Sequence, residues 1–104
     1  MANNAYIHRL KLAIEGSHRC IAVHVASAPV TDVFNGKTVW KGDVEVFKLE
    51  KHPRAKRCFA WSHREGEGDK GERLITVLEI PPVRSPETAV RAHVVKEVKD
   101  SYSG

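Results

Sequence analysis

The chain carries little specialised chemistry. Its 104 residues include two cysteines, one methionine and two tryptophans. Two well-separated cysteines, Cys20 and Cys58, exclude a disulfide scaffold and read as reduced thiols acting as small hydrophobes. No apolar run approaches the roughly 18 residues that a membrane helix needs. The start, Met1-Ala2-Asn3-Asn4, lacks a basic segment followed by an apolar one, so no secretory signal is expected. These absences together point to a cytoplasmic protein with no membrane partner. There is no Gly-x-Ser-x-Gly elbow, phosphate loop or dinucleotide fingerprint. Six histidines are present, but neither Cys-x-x-Cys nor His-x-x-x-His spacing occurs, so no metal site and no cofactor are expected.

What is present is ordinary in amount. Hydrophobic residues make up 41% and charged residues 29% of the chain, as in globular domains generally. The length suits one domain over residues 1–104 with a single core. The net charge of +4 is mildly basic, and its distribution is uneven: residues 48–57 are strongly basic and residues 65–72 acidic.

Asn3 or Asn4 can cap a helix over about 4–15, with Tyr6, Ile7, Leu10, Ala13 and Ile14 on one face and Gly16 as its stop. Cys20 to Ser27 alternates as a strand does. Pro29 is expected to interrupt its ladder. Asn35-Gly36 between extended residues predicts a two-residue hairpin turn. In a regular register Phe34 then faces Lys37, Val33 faces Thr38 and Thr31 faces Trp40. Further strands follow over 43–49, 57–64 and 73–80, with an acidic hairpin tip at 65–72. Ser85-Pro86-Glu87 starts a second helix, with Val90, Val94 and Val98 as its core face and a frayed tail at 101–104. The expected fold is α+β: an antiparallel sheet of four or five strands flanked by an N-terminal and a C-terminal helix. Several strands are apolar on both faces. Two helices can cover one face; the other must be covered by the sheet's own curvature or by a second copy of the chain, and a homodimer is expected on that ground.

The run Trp40-Lys41-Gly42-Asp43-Val44-Glu45-Val46-Phe47, continued by His52-Pro53, Ala55 and Ala60-Trp61, resembles small uncharacterised bacterial proteins of the kind carried on mobile, integron-type gene cassettes. The resemblance spans about half the chain. It implies a bacterial, cytosolic origin and brings no activity or functional residues. The order helix, strands, helix is also similar to double-stranded-RNA-binding domains, whose basic second-helix signature is missing here.

Two constellations are candidates for function. Strand parity puts polar groups among apolar neighbours at His24, Glu45, His63 and Glu79. With Trp40 and Trp61 they are expected to line a pocket for a small molecule, because a carboxylate or imidazole held in apolar surroundings is costly unless it is used or paired. The basic loop supplies Lys51, His52, Arg54, Lys56 and Arg57, with Lys48 beside them, for a phosphate backbone. Phe59 and Trp61 follow as stacking faces. The leading expectation is a non-catalytic binding or oligomerisation module with a small-ligand pocket. The alternatives are nucleic-acid binding through the loop, and a small acid–base enzyme using Glu45 or Glu79 with His63. A Cys20–His24 pair on one strand face is the corresponding nucleophile candidate.

Overall fold

The computed structural model describes residues 4–64 and 72–103, with side chains described at 4–63 and 73–95. The elements run α1 (Asn4–His18), β1 (Ile21–Phe34), β2 (Lys37–Glu50), β3 (Arg57–Arg64), β4 (Glu72–Leu78) and α2 (Pro86–Ser103). The strands form one antiparallel meander in the order β1-β2-β3-β4. The α+β fold with four strands between two helices is the expected one, but the layering differs. Each helix covers its own face of the sheet.

α1 buries Leu10 and Ile14 against Ala22, Phe47, Leu49, Cys58 and Ala60, which share one parity across the strands. α2 buries Ala89 and Val90 against Val30, Val44, Val46, Phe59 and Trp61 on the other. The apolar second face is therefore covered in large part by α2, and its covering does not require a second copy. A sheet buried on both sides explains why β2 and β3 are apolar at successive positions. The acidic residues 65–71 lie outside the described part of the chain.

The helix ends are set locally. α1 runs through Gly16 to His18 and is stopped by Arg19 in the left-handed region (φ 52°). Glu15 bridges the end of α1 to the start of β1. Its Oε2 accepts from Lys11 at 2.7 Å and from the Ala22 backbone N–H at 3.0 Å. At α2, Ser85 caps as expected, and Thr88 completes the box that Glu or Gln usually completes. The Thr88 N–H donates to Ser85 Oγ at 3.2 Å, and the Ser85 N–H donates to Thr88 Oγ1 at 2.9 Å. The tail expected to fray is helical through Ser103.

The hairpin turn falls at Asn35-Gly36, whose φ values of 53° and 75° fit the predicted type. Phe34 faces Lys37 and Val33 faces Thr38 as expected, but Asp32, not Thr31, faces Trp40. A register shift between Asp32 and Val33 leaves Val39 as the extra residue of β2. A second shift between His24 and Ala26 makes Val25 the extra residue of β1. Pro29 does not interrupt β1, which runs unbroken from Ile21 to Phe34 at the edge of the sheet, where a missing N–H can face outward.

Candidate functional site

The six residues expected to line one pocket fall in three places. Sheet parity puts His24 and Glu45 on the α1 face. Trp40, Trp61 and His63 lie on the α2 face, and Glu79 leaves the sheet beyond β4 to bind the exposed Arg57. The expected single pocket is corrected accordingly, because residues of opposite parity cannot share a face.

On the α1 face, Glu45 is 1% exposed. His24 Nε2 donates to its Oε1 at 2.9 Å, and the Ser27 hydroxyl donates to the same oxygen. The His24 ring also meets Phe47 edge-on, with centroids 5.3 Å apart. His24 and Ser27 are three residues apart, so a regular strand would point them to opposite faces. The bulge at Val25 brings both onto Glu45. This satisfies a carboxylate that burial would otherwise penalise by several kcal/mol. Both donors meet at Glu45 instead of at each other, which is not the order of a serine–histidine–acid relay.

On the α2 face, Trp40 meets Trp61 edge-on at 5.8 Å between centroids, and His93 of α2 lies 5.8 Å from Trp61 and 6.1 Å from His63. Trp61 is 1% exposed, and its Nε1 has no hydrogen-bond partner among the described residues. The acid–base pairing of Glu45 or Glu79 with His63 is not formed. Glu45 is on the other side of the sheet, and Glu79 is held by Arg57.

Neither cysteine has the surroundings of a nucleophile. Both are buried, and burial raises both thiol pKa values, that of Cys58 to about 12. A reactive cysteine needs the opposite shift. Among the described residues no group of three or more His, Cys, Asp or Glu could hold a metal ion.

A groove of about 600 Å³ lies where the tip of the β1–β2 hairpin overhangs α2. Val33, Phe34 and Val39 line it from the hairpin, and Val94 and Val95 from the helix. Four of these apolar side chains are well exposed: Phe34 at 67%, Val33 at 49%, Val95 at 46% and Val39 at 43%. At one side Asp32 Oδ1 accepts from an Arg91 guanidinium nitrogen at 3.1 Å. Asp32 is buried, whereas the Arg91 side chain is 68% exposed. The bulge that leaves Val39 unpaired delivers it to the groove, a common use of bulges.

Sequence reasoning places none of these residues in a site: it puts Val33, Phe34 and Asn35 in a hairpin and Val94 in the core face of α2. The Asn-Gly turn marked the hairpin, but the overhang depends on where α2 packs, and alternation alone does not reveal a bulge.

The basic loop is ordered. His52 Nδ1 accepts from the backbone N–H of Arg54 at 3.1 Å and of Ala55 at 2.8 Å. Lys51 is in the left-handed region (φ 66°), and the loop closes with the Leu49 N–H donating to the Lys56 carbonyl at 2.8 Å. Lys51, Arg54 and Lys56 point outward. His52 is half-buried, its ring turned to the loop backbone and to His18 at 6.4 Å. Two expected contacts are thereby corrected: His52 shapes the loop from inside, and Arg57 is engaged by Glu79 and lies 5.6 Å from the Phe59 ring centroid. Phe59 and Trp61 are buried and offer no stacking face.

No family model, no curated protein and no solved structure matches this chain.

Proposed function

We propose that this protein is a non-catalytic binding module, and that its ligand is a small, mostly apolar molecule carrying an acidic head. The observation that carries this reading is the hairpin–α2 groove. Its volume falls within the range of small-molecule sites, and its walls are aliphatic and aromatic with a few polar groups at one side, the usual composition of such sites. Arg91 spends one donor on Asp32. Its planar guanidinium offers five, so a carboxylate or sulfonate can be received beside Asp32 while the apolar body covers Phe34, Val39 and Val95. In keeping with the sequence resemblance, we assign the module to a bacterial cytoplasm.

The test uses two dyes with the same aromatic body, N-phenyl-1-naphthylamine and its 8-sulfonate. Both should bind with increased fluorescence, the sulfonate more tightly. The double variant Val39→Thr/Val95→Gln should weaken both about tenfold, in line with about 0.8 kcal/mol per buried methylene equivalent lost. Arg91→Gln should abolish the preference for the sulfonate. Dye binding unaffected by these changes would defeat the reading.

The homodimer is a separate proposal, resting on β1. This fourteen-residue strand is at the sheet edge and exposes Ile21, Val23 and Val25, a pattern that invites pairing with a second strand. Light scattering at micromolar concentration decides it: a mass of one chain ends the proposal.

A further inference from the structure

The end of the molecule opposite the hairpin tip has a different character. There α1 ends, β1 begins, β2 turns through the basic loop into β3, and β4 leaves the sheet. This end gathers Arg19, Lys48, Lys51, Arg54 and Lys56, all exposed and none in an ion pair among the described residues. A sixth cation, Arg57, faces Lys48 directly across the β2–β3 ladder. Like charges placed opposite one another destabilise a sheet, and Glu79 offsets only one member of this pair. Glu50, opposite Ile21, and Glu15, held at the end of α1 by Lys11 and the Ala22 N–H, are the other carboxylates nearby. Six cations against three carboxylates leave this end basic.

The backbone that carries these cations is shaped by specific contacts. Lys51 and Arg19 both occupy the left-handed backbone region, unusual for side chains of this size. His52 fixes the backbone between Lys51 and Lys56 by accepting two N–H groups. The His18 ring stands against it, and the Thr76 hydroxyl hydrogen-bonds His18 Nε2 at 3.0 Å. The loop is thus braced by α1 and, through α1, by β4.

We infer that this end binds the phosphate backbone of double-stranded nucleic acid without reading its sequence. The choice of duplex over single strand follows from the burial of the aromatic side chains described at this end. Single-strand binding without sequence preference leans on exposed rings for base stacking, and Phe59 and Trp61 are buried. Phe34, the large exposed aromatic among the described residues, is at the opposite end of the hairpin. Unpaired cations on an ordered loop and two strand ends supply charge neutralisation and nothing else, which is the sequence-independent term of duplex binding. Arg19, Lys48, Lys51, Arg54 and Lys56 are the contacts, and His52 is a positioning residue. The inference is independent of the groove, which involves none of these side chains.

The experiment is fluorescence anisotropy of a labelled 20-base-pair DNA duplex, an RNA duplex of the same sequence, and each single strand, at 50 and 200 mM KCl. Both duplexes should bind at 50 mM, with affinity falling about 10²-fold by 200 mM if about four phosphates are neutralised. The triple variant Lys51→Ala/Arg54→Ala/Lys56→Ala removes only exposed side chains and should lose at least tenfold at 50 mM. The double variant Lys37→Ala/Lys41→Ala, on the exposed far half of β2, should lose less than twofold. His52→Ala should weaken binding while leaving the salt dependence unchanged, since it removes no phosphate contact. Absence of duplex binding at 50 mM, tighter binding of the single strands, or equal losses in the loop and hairpin variants would each overturn the inference.

Discussion

His24 donates to Glu45 across the β1–β2 ladder at 2.9 Å, and the two residues differ greatly in their access to water: the His24 side chain is 31% exposed and Glu45 1%. That inequality predicts an asymmetry between substitutions. His24→Ala leaves a buried carboxylate with Ser27 as its remaining donor, which should cost about 2–3 kcal/mol. Glu45→Leu removes the buried charge, and His24 and Ser27 can then turn to water, so the change should fall within about 1 kcal/mol of neutral. Urea denaturation of both variants measures the difference. If Glu45→Leu is the more damaging, the pair is not the clamp described above.

Gly42 and Trp40 make a second test. A Cβ at Gly42 would lie 3.0 Å from Trp40 Cη2 and 3.2 Å from Cζ2, closer than real Cβ atoms normally come. Trp40 cannot yield freely, because its ring stands edge-on to the buried Trp61. Gly42→Ala should therefore destabilise by about 1–2 kcal/mol, as overpacked sites do, and should shift the tryptophan emission. An unchanged spectrum and midpoint would mean that Trp40 has room to move.

The thiols should be silent in the folded protein. Burial lifts Cys58 to about 12 and raises Cys20 as well, so little thiolate exists at pH 8. Ellman's reagent should label neither cysteine within minutes under native conditions and both after unfolding in guanidinium. Rapid labelling of one equivalent in the native protein would contradict the burial.

His18 should impose a pH dependence on stability. Burial first, and then the neighbouring His52, hold its pKa below 6.5. The unfolded chain therefore takes up this proton at a higher pH than the folded protein does. Stability is unpenalised above the unfolded value, falls as the pH drops through 6.5, and levels off below the lowered folded value. His18→Gln retains a donor for Thr76 and should flatten that part of the profile. Thermal midpoints of both proteins between pH 8 and 5 provide the check.

The sequence disclosed the elements well and the site poorly, for identifiable reasons. Asn35-Gly36 and Ser85-Pro86 marked their turn and cap because only particular residues meet those backbone demands. Alternation along β2 and β3 revealed apolar residues on both faces but could not say that the helices would take one face each. That is a long-range packing outcome, and it removed the original reason for a dimer. Parity assigned His24 and Glu45 to their faces correctly. It could not pair Ser27 with Glu45 or Asp32 with Trp40, because each pairing follows a bulge that no residue type announces. Charge alone places His52 among the outward cations, because it does not say which side of a loop a ring occupies.

The two bulges divide the β1–β2 ribbon into stretches that can change independently. Within a regular ladder, gaining or losing one residue reverses every side chain beyond it. A bulge is a place where that reversal has already occurred and has been accommodated. Deleting Val39 would restore regular pairing near the turn without disturbing Glu45, and deleting Val25 would restore it beside Glu45, leaving His24 and Ser27 two positions apart on one face and the hairpin tip intact. The hairpin tip can thus drift in sequence while the cluster of His24 and Ser27 on Glu45 and the basic end stay in register.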